Sequence, residues 1–313
     1  MTDILQAELM SRAANEVWAI LPSALMGLLA GTLNPNPSPK GEGERLAVTR
    51  PGTKAGRIAR VPIVGTITRR DSFWSMFFGG GASVERITRA LREIREDDSI
   101  STVVLDIDSP GGTISGLPEL ANEIRALRDG KHVVALANSL TASAAYWLAS
   151  QADEIVATPE ALTGSIGVFT LHEDWSKYLE ARGIAPTLIH AGKYKVEGNP
   201  YETLTDEARA HIQSMVNDAY ALFVGDVATG RNVSAAEVMG KFGEGRLLTA
   251  QEAKKAGLID RVAGADETLQ RLAGRKAEVD GFPLEARGND DSGVNSQARL
   301  ALMRRRLNLH KQF

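Results

Sequence analysis

A hydroxyl set among small side chains just after an apolar run is one way a chain presents a nucleophile. Ser143 stands so in NSLTASAAYWLAS, residues Asn138 to Ser150. A serine hydroxyl is a weak nucleophile at neutral pH; it attacks a carbonyl only where a base takes its proton and donors hold the oxyanion that forms. Glycines after a buried strand free backbone N–H groups for an anion, which makes Gly111-Gly112 in DSPGG one candidate donor site. The N–H of Ala144, at the start of the helix expected after Ser143, is a second. For the base, two residues compete. His172 is the first histidine downstream, and Ser–His pairs serve on other folds, yet in His172-Glu173-Asp174-Trp175 a solvated first helical turn accounts for it equally well. Lys195 acts as a base only if desolvation or a neighbouring cation brings its pKa down towards neutrality. Lys193 is either that neighbour or a surface charge, and spacing leaves both bases open.

These groups need strands and helices to hold them. TVVLDI (Thr102 to Ile107) and HVVALA (His132 to Ala137) are short continuous apolar runs of the kind that form buried strands. RIARVPIVGTIT, from Arg57, supplies another at Val61 to Thr66. Val84, Ile87, Leu91 and Ile94 fall at helical spacing, so Ser83 to Glu96 is expected as an amphipathic helix, and Leu117 to Leu127 as a second. Strand alternating with helix predicts right-handed crossovers and a mainly parallel sheet flanked by helices. Further strands are expected at Glu154 to Ala157, Thr187 to His190 and Leu258 to Val262. Helices are expected at His172 to Arg182 and at Asp206 to Thr229. The last carries Thr205 as N-cap and a stripe of Ala208, Ile212, Met215, Val216, Ala219, Leu222 and Phe223. Thr249 with Glu252 forms a capping box for the helix that Gly257 closes.

The chain has 313 residues with 43% hydrophobic content, enough for one large domain with a substantial core. Its 36 basic and 39 acidic residues leave a net charge of -3, so no basic field points to nucleic acid. There is no cysteine, which excludes disulfides and a thiol nucleophile and fits a cytoplasmic protein. His132, His172, His190, His211 and His310 show no metal-binding spacing, so neither a metal nor another cofactor is expected.

Composition divides the chain into an N-terminal arm at 1–33, a linker at 34–56 opening on NPNPSPKGEGE, a compact domain at 57–274 and a tail at 275–313. Within the arm, Val17 to Leu33 is apolar but short, interrupted by Pro22 and preceded by Asp3, Glu8 and Glu16; it reads as a docking or assembly helix rather than a membrane anchor. Phe73, Trp74, Phe77 and Phe78 line a substrate groove, form a subunit contact or simply pack. The tail ends in the basic, periodic ARLALMRRRLNLHK, a docking element for an acidic partner or a solvated end.

Five blocks carry a wider resemblance: DSPGG at Asp108 to Gly112, TASAAYWLAS around Ser143, TGSIGV at Thr163 to Val168, GKYKVEGNP at Gly192 to Pro200, and GRLLTAQEAKKAGLID at Gly245 to Asp260. In this order they resemble the signal peptide peptidase A family of serine peptidases, over about Arg57 to Val262. Within that family the chain is most similar to the phage head-maturation proteases of the lambda protein C type, on the GNP string after Lys195 and on WAILPSAL at Trp18 to Leu25. The resemblance implies a ClpP/crotonase-like fold and a Ser/Lys dyad. Ser143 matches the nucleophile, Lys195 the general base, Ser165 the hydroxyl that orients the lysine, and Gly112 with Ala144 the oxyanion donors. It also implies homo-oligomeric rings or domes with sites at subunit interfaces, and protein substrates such as scaffold, portal or coat proteins inside a procapsid. Departures from the family pattern are Ala144-Ala145, where a glycine is usual, and Thr113 in place of a frequent third glycine. The competing expectations are a cellular signal-peptide or protein-quality peptidase at the membrane, and an assembly or scaffold protein that keeps the fold without the chemistry.

Overall fold

Apolar runs bounded by turn residues become strands buried on both faces when helices cover the sheet. In the computed structural model, which describes residues 16–29, 47–49, 57–70 and 81–274, TVVLDI and HVVALA take that role. The first half of the chain forms β1 (Trp18–Ile20), α1 (Pro22–Leu29), β2 (Ala47–Thr49), β3 (Arg57–Val64), β4 (Ile67–Thr68), β5 (Ala82–Ser83), α2 (Val84–Glu96), β6 (Ile100–Ser109), β7 (Gly111–Thr113) and α3 (Leu117–Leu127). There follow β8 (His132–Ala142), α4 (Ala144–Ala149), β9 (Glu154–Ala157), β10 (Leu162–Gly164), α5 (Ser176–Ala181), α6 (Asp206–Arg231), α7 (Ala235–Lys241), β11 (Leu247–Thr249), α8 (Ala250–Ala256), β12 (Arg261–Val262) and α9 (Ala265–Leu272).

The main sheet has eight strands. β3, β6 and β8 run side by side in parallel at its centre. On the other edge of β8, β9 pairs with Val134 to Ala137 and β10 with Leu140 to Ala142, both parallel. β12 continues parallel to β9, while β2 and β11 pair antiparallel at the ends. Alternation along the strands divides the apolar side chains between two faces. Val103, Leu105, Ile107, Val133 and Ala135 join the large core with α2, α3 and α4, whereas Val104, Val134, Leu136 and Val156 meet Leu269 and Leu272 of α9. The fold is therefore the α/β architecture expected, a mainly parallel sheet covered by helices on both faces. A second, four-stranded sheet, ordered β1-β7-β4-β5, leaves the end of β6 and brings residues 18–20 of the N-terminal segment against Gly111–Thr113.

Local signals explain the ends of most elements. Ser83 caps α2 by accepting from Arg86 N–H, Thr205 caps α6 by accepting from Ala208 N–H, and Thr249 with Glu252 forms the full capping box of α8. Three expectations are corrected. The helix expected from His172 starts only at Ser176, because the Asp174 carboxylate accepts the Ser176 N–H and hydroxyl and turns the chain before it. Thr187 to His190 is irregular and mostly exposed, with no neighbouring strand among the described residues to supply a ladder. The strand expected from Leu258 begins at Arg261, since the Leu258 N–H returns to Ala253 O to close α8.

α6 departs from its expected role in a consequential way. Ala208, Ala219, Phe223, Val224, Val227 and Ala228 are buried, but Met215 and Leu222 stay exposed. A separate stretch of the sequence, 178–195, exposes Tyr178, Ile184 and Tyr194 as well, with Ile189 at 95% exposure. No described element of this chain covers it.

Among the described residues no helix is long and apolar enough to cross a membrane, and the segment read as a docking helix is a strand followed by an eight-residue helix. The aromatic cluster at Phe73 to Phe78 and the basic tail lie outside the described residues.

Candidate active site

β8 delivers its last residue, Ala142, in register with Gly164 of β10, and the chain turns at Ser143 straight into α4. The turn is strained: Ser143 holds φ 56° and ψ -119°, a region that side chains beyond glycine rarely visit. Such a conformation persists only where its surroundings over-determine it. Here the Ser143 N–H donates to Gly164 O at 2.7 Å, and α4 behind it is entirely buried. Trp147 stacks on Phe223 with ring centroids 4.5 Å apart and donates its indole N–H to Asp226, while the Tyr146 hydroxyl donates to Leu258 O at 2.8 Å. Burial pushes the Tyr146 phenol pKa well up, which keeps it neutral and a donor. Ser143, on a tight strand-to-helix turn, does not spend its hydroxyl on capping its own helix, and the residue is wholly buried. Among the described residues that hydroxyl donates only to Gly167 O, at 3.3 Å, longer than a good O–H···O bond.

β7 lies across the end of β8. A Cβ on Gly111, which has φ 102°, would stand 2.2 Å from Ala19 O and 3.1 Å from Ala142 O; one on Gly112 would stand 1.8 Å from Ile67 O. Only glycine lets three backbones meet beside Ser143. The Gly111 N–H is taken by Ser109 Oγ at 3.2 Å. Ala144 N–H belongs to the first turn of α4, whose donors have no intrahelical acceptor. Asp108, at the head of the DSPGG turn, has its carboxyl pushed up by burial, with Leu140 N–H pulling the other way. Because the clash at Gly112 is with backbone, Gly112→Ala should destabilise the protein by about 1–3 kcal/mol or more in urea unfolding. Gly130→Ala, where a Cβ would meet nothing within 4 Å, is the matched control and should stay within about 0.5 kcal/mol.

Ser165 follows Gly164 directly, is buried, and also holds a positive φ of 54°, with its N–H on Arg246 O at 2.8 Å. Among the described residues Ser143 and Ser165 are thus two of five non-glycine residues with positive φ, brought to one place by the β8–β10 register. No hydrogen bond joins Lys195 to Ser143 or Ser165 among the described residues. Lys195 sits in an exposed turn where its N–H returns to Gly192 O at 3.2 Å, and among the described residues its amine has no hydrogen-bond or ion-pair partner. The Lys193 amine is engaged with other partners. The Tyr194 hydroxyl and then Glu207 hold the Lys193 amine pKa up, at 2.6 Å and 3.5 Å. His172 makes no hydrogen bond to Ser143 among the described residues: it approaches Asn199 O at 3.4 Å and lines a cleft of about 640 Å³ beside α6.

Sequence reasoning missed β1. Trp18 to Ile20 lies against Gly111–Thr113 on one side and bonds Phe169 on the other. The available signal was Pro22, which favours the first turn of a helix and so leaves the residues before it outside one.

Residues 125–280 match the sequence signature of peptidase family S49. The chain is 33% identical over 247 residues to the capsid assembly protease C of Escherichia phage lambda, covering 77% of this chain and 56% of that protein. It is 34% identical over 216 residues to the head-tail preconnector protein of Enterobacteria phage P21, covering 69% of this chain and 42% of that one. A protease-named protein of Synechocystis is 30% identical over 229 residues, which span 73% of this chain and 77% of the relative. The chain thus spans about half the length of the two phage relatives.

Proposed function

Because this chain belongs to peptidase family S49, we propose that it is a serine endopeptidase working through a Ser143/Lys195 dyad. The observation that carries this reading is the strained, uncapped Ser143 at a strand-to-helix turn, bracketed by Gly111-Gly112 and by Gly164 to Gly167. Ser143 Oγ attacks the scissile carbonyl, its proton passes to the neutral Lys195 amine, and the amine hands that proton to the leaving nitrogen as the C–N bond breaks. Water then opens the acyl ester by the same route. The N–H groups of Gly112 and Ala144 hold the oxyanion, and Ser165 orients the lysine.

The dyad is completed across a subunit interface. Desolvation is what makes an amine a base at neutral pH, and the exposed turn of Lys195 offers none. A second copy packed on the apolar side chains of the same exposed stretch would supply it while burying Ile189 and its neighbours. Similarity to the lambda capsid assembly protease and to the P21 preconnector protein supports a role in phage or prophage head maturation, with scaffold, portal or coat proteins as substrates, in the host cytoplasm or inside a procapsid.

A fluorophosphonate probe tests the reading. On prolonged incubation it should label the assembled protein at Ser143, located by peptide mass spectrometry, and leave the monomer unlabelled. Assembled protein that takes no label would leave an assembly or scaffold protein without chemistry.

A further inference from the structure

β1 is held as a substrate would be held. Extended peptides are recognised by adding a strand to exposed edges, with main-chain hydrogen bonds giving affinity and alternate side chains giving specificity. The groove beside Ser143 has two such edges, β7 and the run Gly167 to Phe169, and β1 fills the space between them. On the second edge Trp18 N–H donates to Phe169 O at 2.8 Å and Phe169 N–H donates to Trp18 O at 2.9 Å. On the first, Leu21 N–H donates to Pro110 O at 3.0 Å and Ile114 N–H to Val17 O at 3.4 Å. Bonded and non-bonded pairs alternate along an antiparallel ladder, so the pair between these two, Ala19 with Gly112, is a bonded one. The Gly112 N–H is therefore spent on Ala19 O. That is the donor the proposed mechanism needs for its oxyanion.

We propose that residues Val17 to Leu21 are a built-in pseudo-substrate, with Ala19 at the acyl position, which must leave before an extended peptide with a small residue at that position can enter. The site identities rest on the peptidase reading; the occupancy does not. One further observation fits a strand that can leave. Ile20, Ala24 and Leu25 pack with Trp18, Leu21, Phe169 and Leu171 in an apolar cluster separate from the main core, and only Ala19 reaches that core. Ala19 is wholly buried, which sets the size of side chain the position accepts.

The test uses the full chain with a recognition site for an unrelated protease inserted between Asn34 and Glu44, in a Ser143→Ala background so that no turnover intervenes. A fluorescein-labelled peptide of the sequence EVWAIL is titrated in by anisotropy before and after cutting. Tethering gives the internal strand an effective concentration of the order of millimolar, so the cut protein should bind the peptide at least about tenfold more tightly. Ala19→Pro removes the N–H that pairs with Gly112 O and should have the same effect without cutting. Equal affinity in the cut, uncut and Ala19→Pro proteins would make β1 a permanent strand and overturn the proposal. Fluorophosphonate labelling, with Ser143 restored, separates the two ideas. Tighter peptide binding with no label upholds the pseudo-substrate and removes the peptidase; labelling at one rate in cut and uncut protein, with unchanged affinity, does the reverse.

Discussion

Ser143→Ala will reduce hydrolysis of a protein substrate by at least about ten-thousand-fold, because removing one member of a nucleophile–base unit costs nearly as much as removing all of it. The fold should be indifferent. Alanine tolerates φ 56° no worse than serine does, and the hydroxyl gives up only a 3.3 Å contact with Gly167 O. The measurement is product analysis by mass spectrometry beside thermal unfolding, in which the melting temperature should move by no more than about 4 °C. Substantial cleavage by a folded Ser143→Ala protein would remove Ser143 from the chemistry.

Lys195→Ala should lose activity by a comparable factor with even less effect on the isolated chain, since its amine touches no described partner. Lys195→Arg should not rescue it: a guanidinium stays protonated and takes no proton from serine. His172→Ala should remain active, because the His172 ring approaches Asn199 O and makes no described hydrogen bond to Ser143. The sharper measurement mixes subunits. In a one-to-one assembly of Ser143→Ala with Lys195→Ala chains, a dyad shared between neighbours restores about a quarter of the sites, whereas a dyad within one chain restores none. An inactive mixture of well-assembled subunits would place the base inside the chain that carries the serine. Full activity of Lys195→Ala alone would remove the lysine altogether.

These outcomes turn on features that differ in how far the chain alone reveals them. The crossover fold was legible because it rests on local signals: the apolar runs of β6 and β8, the helical spacing of Val84, Ile87, Leu91 and Ile94, and the Thr249–Glu252 capping box. The placement of Ser143 was legible for the same reason, as small residues between an apolar strand and an apolar helix predict a tight turn. Gly111-Gly112 could be read as a turn, but the reason for glycine could not. The contacts with Ala19 O, Ala142 O and Ile67 O come from three distant segments. His172 to His190 was misread in part because periodicity does not reveal whether a partner strand exists or where a carboxylate such as Asp174 will turn the chain.

Residue order alone thus established an α/β chain with a serine turn beside a glycine pair, two competing bases, and an N-terminal apolar segment that looked helical. Folding assigned the positions. It set Ser165 beside Ser143 through the Ala142–Gly164 register, left Lys195 exposed on a stretch that nothing described in this chain covers, and threaded Trp18 to Ile20 between β7 and Phe169. The physical reason is range. Periodicity, caps and turns are properties of neighbouring residues, whereas strand pairing and burial join segments far apart in the chain, and their energies depend on what else has already packed there.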